Sequence, residues 1–342
     1  MPTYPLTKGT IMSALQIPKR ASRTRIMLLM LFSIGTSLTS FAQAAYPDHS
    51  IRLVVPFGAG GITDVVARLI GQKLGEELNQ TIVIENKPGA GGTIAAQAVA
   101  RAKPDGYTLL LGTVGTQVVN KMLYKKLNYD PAAFEPVSLI SNSPYVLGVS
   151  NVPQVKNLSD LIDYAQKNPH KLNYGSAGVG SSPHLGMELL NQEAKMQITH
   201  VPFKSGAEAI NAAMGGQVQV VLDAISVIVP QAKAGKLRLI ALADDQPNRT
   251  VPDLPTGKEQ GIPAFVVGSW NAIVGPEDMP ADRVSILSQA ISNVLQNPQV
   301  KERLSELGIE PLAAGSENYV LHVQAESEKW KKIIDASEAK LD

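Results

Sequence analysis

The sequence predicts an α/β protein made of two lobes, each a mostly parallel sheet flanked by helices, joined by two extended crossings that act as hinges. Three observations predict it. Strand and helix patterns alternate from residue 51 onward; the alternation restarts after Pro144; and two apolar extended stretches, near 146–150 and 265–272, link the two series. A βαβα order lays strands side by side in parallel, with helices covering the faces and right-handed crossovers between them. This assigns 45–145 plus 269–342 to lobe 1 and 146–268 to lobe 2. The alternative is one large doubly wound domain.

The elements follow from local pattern. Ile51–Val55 reads as a strand. Thr63–Leu78 reads as a helix with Val66, Leu69, Ile70, Leu74 and Leu78 on one face. Thr81–Glu85 is a strand, Gly92–Arg101 a helix and Thr108–Leu111 a buried strand. In the second series, Tyr145–Ser150, Lys171–Tyr174, Gln197–Val201, Val218–Leu222 and Leu237–Leu242 read as strands. Helices are expected at Leu158–Lys167, with Asn157 as N-cap, and at Pro183–Glu193, Gly206–Met214 and Val227–Ala234. Ala264–Val274 is a second long extended stretch, and helices Ala281–Gln296, Pro298–Leu307 and Glu317–Ala336 close the chain.

The N-terminus and the composition bound the setting. Lys19, Arg20, Arg23 and Arg25 precede the apolar run Ile26–Gly35, and small residues lead to Ala42-Gln43-Ala44. This is the layout of a cleavable secretory signal peptide over 1–44, and the apolar run is short for a membrane span. Residues 1–44 hold five of the 31 basic residues and no acidic ones, which leaves 26 basic against 30 acidic and a net charge of −4. No basic stripe remains to suggest nucleic acid as a partner. Cysteine is absent, so disulfides and a lipoprotein anchor are excluded and the core alone must stabilise the fold. The expectation is a periplasmic protein, exported and not lipid-anchored.

Two glycine-rich loops carry the chemistry. Val54-Val55-Pro56-Phe57-Gly58-Ala59-Gly60-Gly61-Ile62-Thr63-Asp64 runs from a strand through three glycines into a helix. Glycine permits positive φ and close approach of a ligand to the backbone. The unpaired N–H groups of the first helical turn then form an anion site. Gly175-Ser176-Ala177-Gly178-Val179-Gly180-Ser181-Ser182 repeats the design. One loop in each lobe could clamp a small anion. Each charge-assisted hydrogen bond contributes roughly 1.5–3 kcal/mol, so three or four account for about micromolar affinity. Gly89-Ala90-Gly91-Gly92 echoes the first loop and reads as a similar strand-to-helix turn.

Other residues near these loops carry open alternatives. Ser181, Ser182 and His184 either donate to the anion or serve as N-caps and packing. Thr113 and Thr116 follow a strand at the carboxyl end of the sheet, where ligands bind in such folds. Lys204 is a rim cation or a solvated lysine. Asp64 either complements its helix dipole or holds a ligand amino group, and Asp223 faces the same choice. Trp270 is a lid over the ligand or a packed hinge aromatic. No P-loop, H-E-x-x-H or G-x-S-x-G motif is present. A dinucleotide fingerprint fails because Thr63 stands where its third glycine belongs. The five histidines have no metal-ligand spacing. No catalytic residue, cofactor or metal is expected.

These motifs resemble the Bug family of periplasmic solute-binding proteins, the receptors of tripartite tricarboxylate transporters, over nearly the whole mature chain. The resemblance rests on Tyr46-Pro47, on Pro56-Phe57 through Arg68, and on Glu85-Asn86-Lys87-Pro88-Gly89-Ala90-Gly91-Gly92. It rests equally on Pro104-Asp105-Gly106-Tyr107-Thr108-Leu109, Tyr174 through Gly178 with Ser182 and His184, and Lys233-Ala234-Gly235-Lys236-Leu237-Arg238. It implies the Venus-flytrap fold of type II periplasmic binding proteins, closing on a small carboxylate held by both loops, partly through ordered waters. That role falls to Phe57–Gly61 and Ser176–Ser182, with Thr113, His184 and Lys204 as neighbours. The chain departs from the family pattern at Ala59, where many members carry Pro. It departs again at Leu222-Asp223-Ala224-Ile225-Ser226, where F-D-N-L-P is commoner, so the distal pocket wall is its own. The ligand implied is a mono- or dicarboxylate, an amino acid or an aromatic acid. Membrane transporter subunits are the implied partners, and the receptor is expected to be monomeric. The rival readings are an exported α/β enzyme acting on an anionic substrate and a ligand-sensing partner of a signalling system.

Overall fold

Strand β1 (Ile51–Val55) lies between two parallel neighbours, β2 (Ile82–Asn86) and β3 (Thr108–Thr113), as the alternating pattern requires. The computed structural model describes residues 46–336; the segment read as a signal peptide lies outside them. Helix α1 (Ile62–Leu78) covers β1 and buries Ile62, Val66, Ala67, Ile70 and Leu74. Each full burial of such a branched side chain is worth about 1.5–3 kcal/mol. Leu69 and Leu78, on the same stripe, are only half-buried. A left-handed Asn79 ends the helix, its N–H returning to the Glu76 and Gly75 carbonyls. Helix α2 (Thr93–Ala100) follows a short 3₁₀ turn at Ala90–Gly92.

A second parallel triplet is built from β5 (Asn173–Ser176), β6 (Thr199–Pro202) and β7 (Val220–Ala224). Its flanking helices are α4 (Leu158–Lys167), α5 (Ser182–Glu193), α6 (Gly206–Met214) and α7 (Ile225–Lys233). Asn157 caps α4 as expected, accepting from the Asp160 N–H at 2.8 Å. A separate apolar cluster forms here from Val146, Ile210, Val218, Val221, Ile228 and Leu242.

The strands that unite the triplets run antiparallel to their neighbours, so the sheet is mixed. The order is β2-β1-β3-β9-β4-β7-β5-β6, with β8 (Arg238–Ala243) and β10 (Glu310–Pro311) also pairing with β4. Strand β9 spans Gly268–Gly275, and β4 spans Glu135–Val149, 15 residues. The first part of β4 pairs with β9, and from Tyr145 it pairs with β7 and β8. The sequence reading begins this strand only at Tyr145, because Pro136 and Pro144 argue against a central strand. Pro144 sits where β4 exchanges β9 for β7, so its missing N–H falls at the exchange. The second extended stretch crosses at the same level, where the Tyr145 N–H donates to the Val267 carbonyl at 3.1 Å.

Between β3 and β4 lie a π-helical turn (Gly115–Val119), the short α3 (Asn120–Leu123) and a 3₁₀ turn at Pro131–Ala133. None has a periodic signature. Helices α8 (Ala281–Gln296), α9 (Pro298–Glu306) and α10 (Ser316–Ala336) complete the chain. Among the described residues, no helix is long and apolar enough to cross a membrane.

Candidate ligand site between two glycine loops

The loop after β1 is braced from below by a carboxylate. Asp64 is buried and accepts from the Gly60 N–H at 3.0 Å, from Asn86 Nδ2 at 3.0 Å and from Arg68 Nε at 2.9 Å. Asn86 also donates to the Phe57 carbonyl at 2.9 Å. Burial pushes the Asp64 carboxyl up, but the Arg68 guanidinium, the Gly60 N–H and Asn86 outweigh it and hold the group below the usual carboxylate range. Its oxygens are committed to the loop, so the reading of Asp64 as a partner for a ligand amine is corrected. Gly60 takes φ +82° to complete the turn. Gly61 is the N-cap of α1 and supplies no side-chain cap, which leaves the first N–H groups of the helix open.

The second loop is pinned by its own hydroxyls. Ser181 Oγ donates to the Gly178 carbonyl at 2.5 Å rather than capping α5. Ser176 Oγ accepts from the Gly178 N–H at 3.1 Å and pairs with His200 Nε2 at 2.6 Å. His184 braces the loop from behind, its Nδ1 accepting from the Gly180 N–H at 3.2 Å. Its ring lies 4.3 Å from that of His200. Burial, then the neighbouring His200, pushes His184 down to about 3, and burial pushes His200 down to about 4. Both imidazoles are therefore neutral at physiological pH.

The two loops meet. The Gly58 N–H donates to the Lys204 carbonyl at 3.0 Å, in the segment that leads into α6. A Cβ added at Gly91 would stand 2.3 Å from the Val179 carbonyl oxygen, and one at Gly115 would stand 2.9 Å from that of Gly180. Between the loops remains a small cavity of about 20 Å3, room for little more than one water. Phe57, Gly61, Ile62, Thr63, Tyr145 and Ala177 line it with Ser181, Ser182, Pro183, Gly206, Asp223 and Ser269. Three helix N-termini converge here: α1 at Ile62, α5 at Ser182 and α6 at Gly206. Their exposed N–H groups and aligned dipoles favour an anion. A much larger cavity, about 680 Å3, lies elsewhere, between α10 and residues 117–136. It has no convergent helix N-termini, so size does not select the site.

Other expected site residues divide between the cavity and the scaffold. Asp223 lines the cavity and is 2% exposed; one oxygen accepts from the Ala224 N–H at 2.7 Å, and no cation among the described residues pairs with it. Burial pushes its carboxyl up to about 7. Gly58 and Gly60 lie against the segment 204–207 rather than on the cavity wall, and Ala59 is exposed. Gly178 and Gly180 serve the loop's internal bonds. Thr116 is corrected: its hydroxyl is fully buried and closes its own turn, bonding the Thr113 N–H at 3.0 Å and the Thr113 carbonyl at 3.2 Å. Lys204 acts through its carbonyl, and its side chain is exposed. Trp270 is no lid. It is 2% exposed, donates Nε1 to Glu326 of α10 at 3.0 Å and packs edge-on against His322 and Tyr319. Alternation along β9 sends it to the face away from the loops.

Sequence reasoning missed Tyr145, Thr63, Gly206 and Ser269. Tyr145 and Ser269 line the cavity together with Ser182, so strand, crossing and loop meet at its wall. Thr63 and Gly206 had a usable signal, since both open helices after glycine- or serine-bearing turns. Gly91 was also missed, although the glycine run at 89–92 marks it.

The fold is the one shared by periplasmic solute-binding proteins. Residues 66–339 match the model of the tripartite tricarboxylate transporter family receptor, and the chain belongs to that family. A UPF0065 protein from Pseudomonas sp. strain P51 is 31% identical over 315 residues, covering 91% of this chain and 94% of that protein. The periplasmic binding protein BugD superposes with a TM-score of 0.82 at 34% identity, over 86% of this chain and 99% of BugD. MatC from Rhodopseudomonas palustris with bound malate superposes with a TM-score of 0.81 at 36% identity, over 84% of this chain and all of that one.

Proposed function

We propose that this chain is a periplasmic receptor that closes two lobes on a small organic carboxylate and presents it to a tripartite tricarboxylate-type membrane transporter. The lobes are 45–145 plus 269–342 and 146–268. The hinges lie at Ser143–Tyr145 and Val266–Gly268, where both crossings change partner strands. One observation carries the reading: three helix N-termini and two glycine loops converge on one small cavity with no Lys or Arg on its wall. Such a site neutralises a carboxylate with backbone donors alone. Malate in a related structure supports the ligand class. The closed loops describe the holding state, and an open state with a larger cavity admits the ligand. On this reading the ligand is released unchanged.

A thermal-shift screen of the mature protein against mono-, di- and tricarboxylates, amino acids and aromatic acids tests this. A related set of acids should raise the melting temperature. Gly61→Val should abolish that shift while keeping the ligand-free melt, because the side chain intrudes among the α1 donors. Mass spectrometry of the bound acid after prolonged incubation should return it intact. Turnover, or a Gly61→Val protein with full affinity, contradicts the reading.

A further inference from the structure

Nine buried side-chain polar atoms among the described residues have no hydrogen-bond partner in the protein, and five of them fall in one block. They are Thr113 Oγ1, Ser141 Oγ, Ser143 Oγ and both amide atoms of Asn271. Strand register explains why they meet. Thr113 of β3 stands opposite Asn271 of β9, and Asn271 stands opposite Ser141 of β4. Two residues along the same pair, Ser269 stands opposite Ser143. Directly opposed residues share a face with Cβ atoms about 4.5–5.5 Å apart, and residues two apart on a strand share it too. Trp270, between Ser269 and Asn271, reaches Glu326 of α10 on one face, so the block lies on the other. Ser269 belongs to the block and also lines the cavity between the loops.

Orphaned polar atoms in a close-packed interior are rare and call for a partner. A single one is met by an ordered water. Five on one face, opening at Ser269 onto a ligand cavity, form a surface with both donors and acceptors. The block has no charged residue and no helix terminus. Strand dipoles nearly cancel, so it offers a second carboxylate no compensation. A bare hydrocarbon would leave the amide and hydroxyls unmet.

We propose that Thr113, Ser141, Ser143, Ser269 and Asn271 form a distal subsite that takes an uncharged hydrogen-bonding group of the ligand, a hydroxyl or a carboxamide, carried beyond the carboxylate held by the loops. This rests on the receptor reading above and refines its ligand class. A site built to hydrogen-bond such a group discriminates strongly against the analogue lacking it. Neither Asn271 nor Thr113 serves the loops, so the subsite can be altered without touching the carboxylate donors.

Calorimetric titration with matched acids tests the proposal: butanoate, 4-hydroxybutanoate, succinate and succinamate, with their five-carbon homologues. At the length that fits, the hydroxy acid or amide acid should bind at least about tenfold tighter than the plain acid and tighter than the diacid. In Asn271→Leu and in Thr113→Val that advantage should fall to about twofold or less, with the plain acid binding as before. Thr113→Val is nearly isosteric and keeps the test alive if Asn271→Leu misfolds. Equal affinity for the plain and hydroxy acids would mean that the block holds only water and would overturn the proposal. So would tightest binding of the diacid, or a preference that survives both substitutions. Binding of none of the acids would overturn the receptor reading itself, and the subsite with it.

Discussion

The Gly58 amide donates to the Lys204 carbonyl at 3.0 Å, joining the loop after β1 to the loop before α6. Lys204, read from the sequence as a rim cation or a solvated lysine, contributes a backbone oxygen, and its side chain is exposed. On the two-lobe reading proposed above, this bond belongs to the closed state and adds to its stability without contacting the ligand.

Lys204→Ala should therefore bind carboxylates within about twofold of the parent protein, since the carbonyl remains and the exposed ammonium is solvated. Titration at low salt checks this. A tenfold loss would show that the ammonium reaches the ligand after all.

Gly91→Ala should impair closure from outside the cavity. Its Cβ would stand 2.3 Å from the Val179 carbonyl oxygen, a backbone atom that cannot step aside. Gly91 also holds φ +61°, so the variant loses about 1–2 kcal/mol of stability from backbone strain. Affinity should drop at least about tenfold, and small-angle scattering should show less compaction with ligand than in the parent. Parent-like compaction would refute this role.

Asp64→Asn should destabilise the first loop by about 1–3 kcal/mol, because a buried charge-assisted network loses its anion. The pH dependence has a definite sign. Folding holds the Asp64 carboxyl below its unfolded value, so its contribution is full above roughly pH 4 and is lost as pH falls through the lower folded value. Melting curves of both proteins from about pH 7 to pH 2 should converge at the acid end. A constant gap across that range would rule the linkage out.

Asp223→Asn should act oppositely. Burial pushes Asp223 up to about 7, so the folded protein binds this proton more tightly than the unfolded chain. The parent then loses stability as pH rises from about 4 through 7, and the penalty levels off above that. The amide removes the titration and should be more stable than the parent at pH 8 by on the order of 2–4 kcal/mol, with the gap closing near pH 4. A pH-independent difference would sink this account.

Sequence alone determined the alternation of elements, because amphipathic period and glycine or serine punctuation are local properties. Helices Leu158–Lys167, Gly206–Met214 and Ala281–Gln296 stand at the expected boundaries. It determined both glycine loops and the family, because ordered motifs survive without any knowledge of contacts. It did not determine strand β4 before Tyr145, where Pro136 and Pro144 mask a strand that only pairing with β9 justifies. Nor did it decide which loop residues face a ligand. Asp64 and Thr116 carry the right chemistry, but their side chains are consumed by Gly60, Asn86 and Arg68 and by Thr113. Trp270 points away because strand parity, set by register against β4, sends it toward Glu326. The same register gathers Thr113, Ser141 and Asn271 from positions up to 158 residues apart. Local sequence records what each residue can do; only the pairing of distant strands decides which residues share a face.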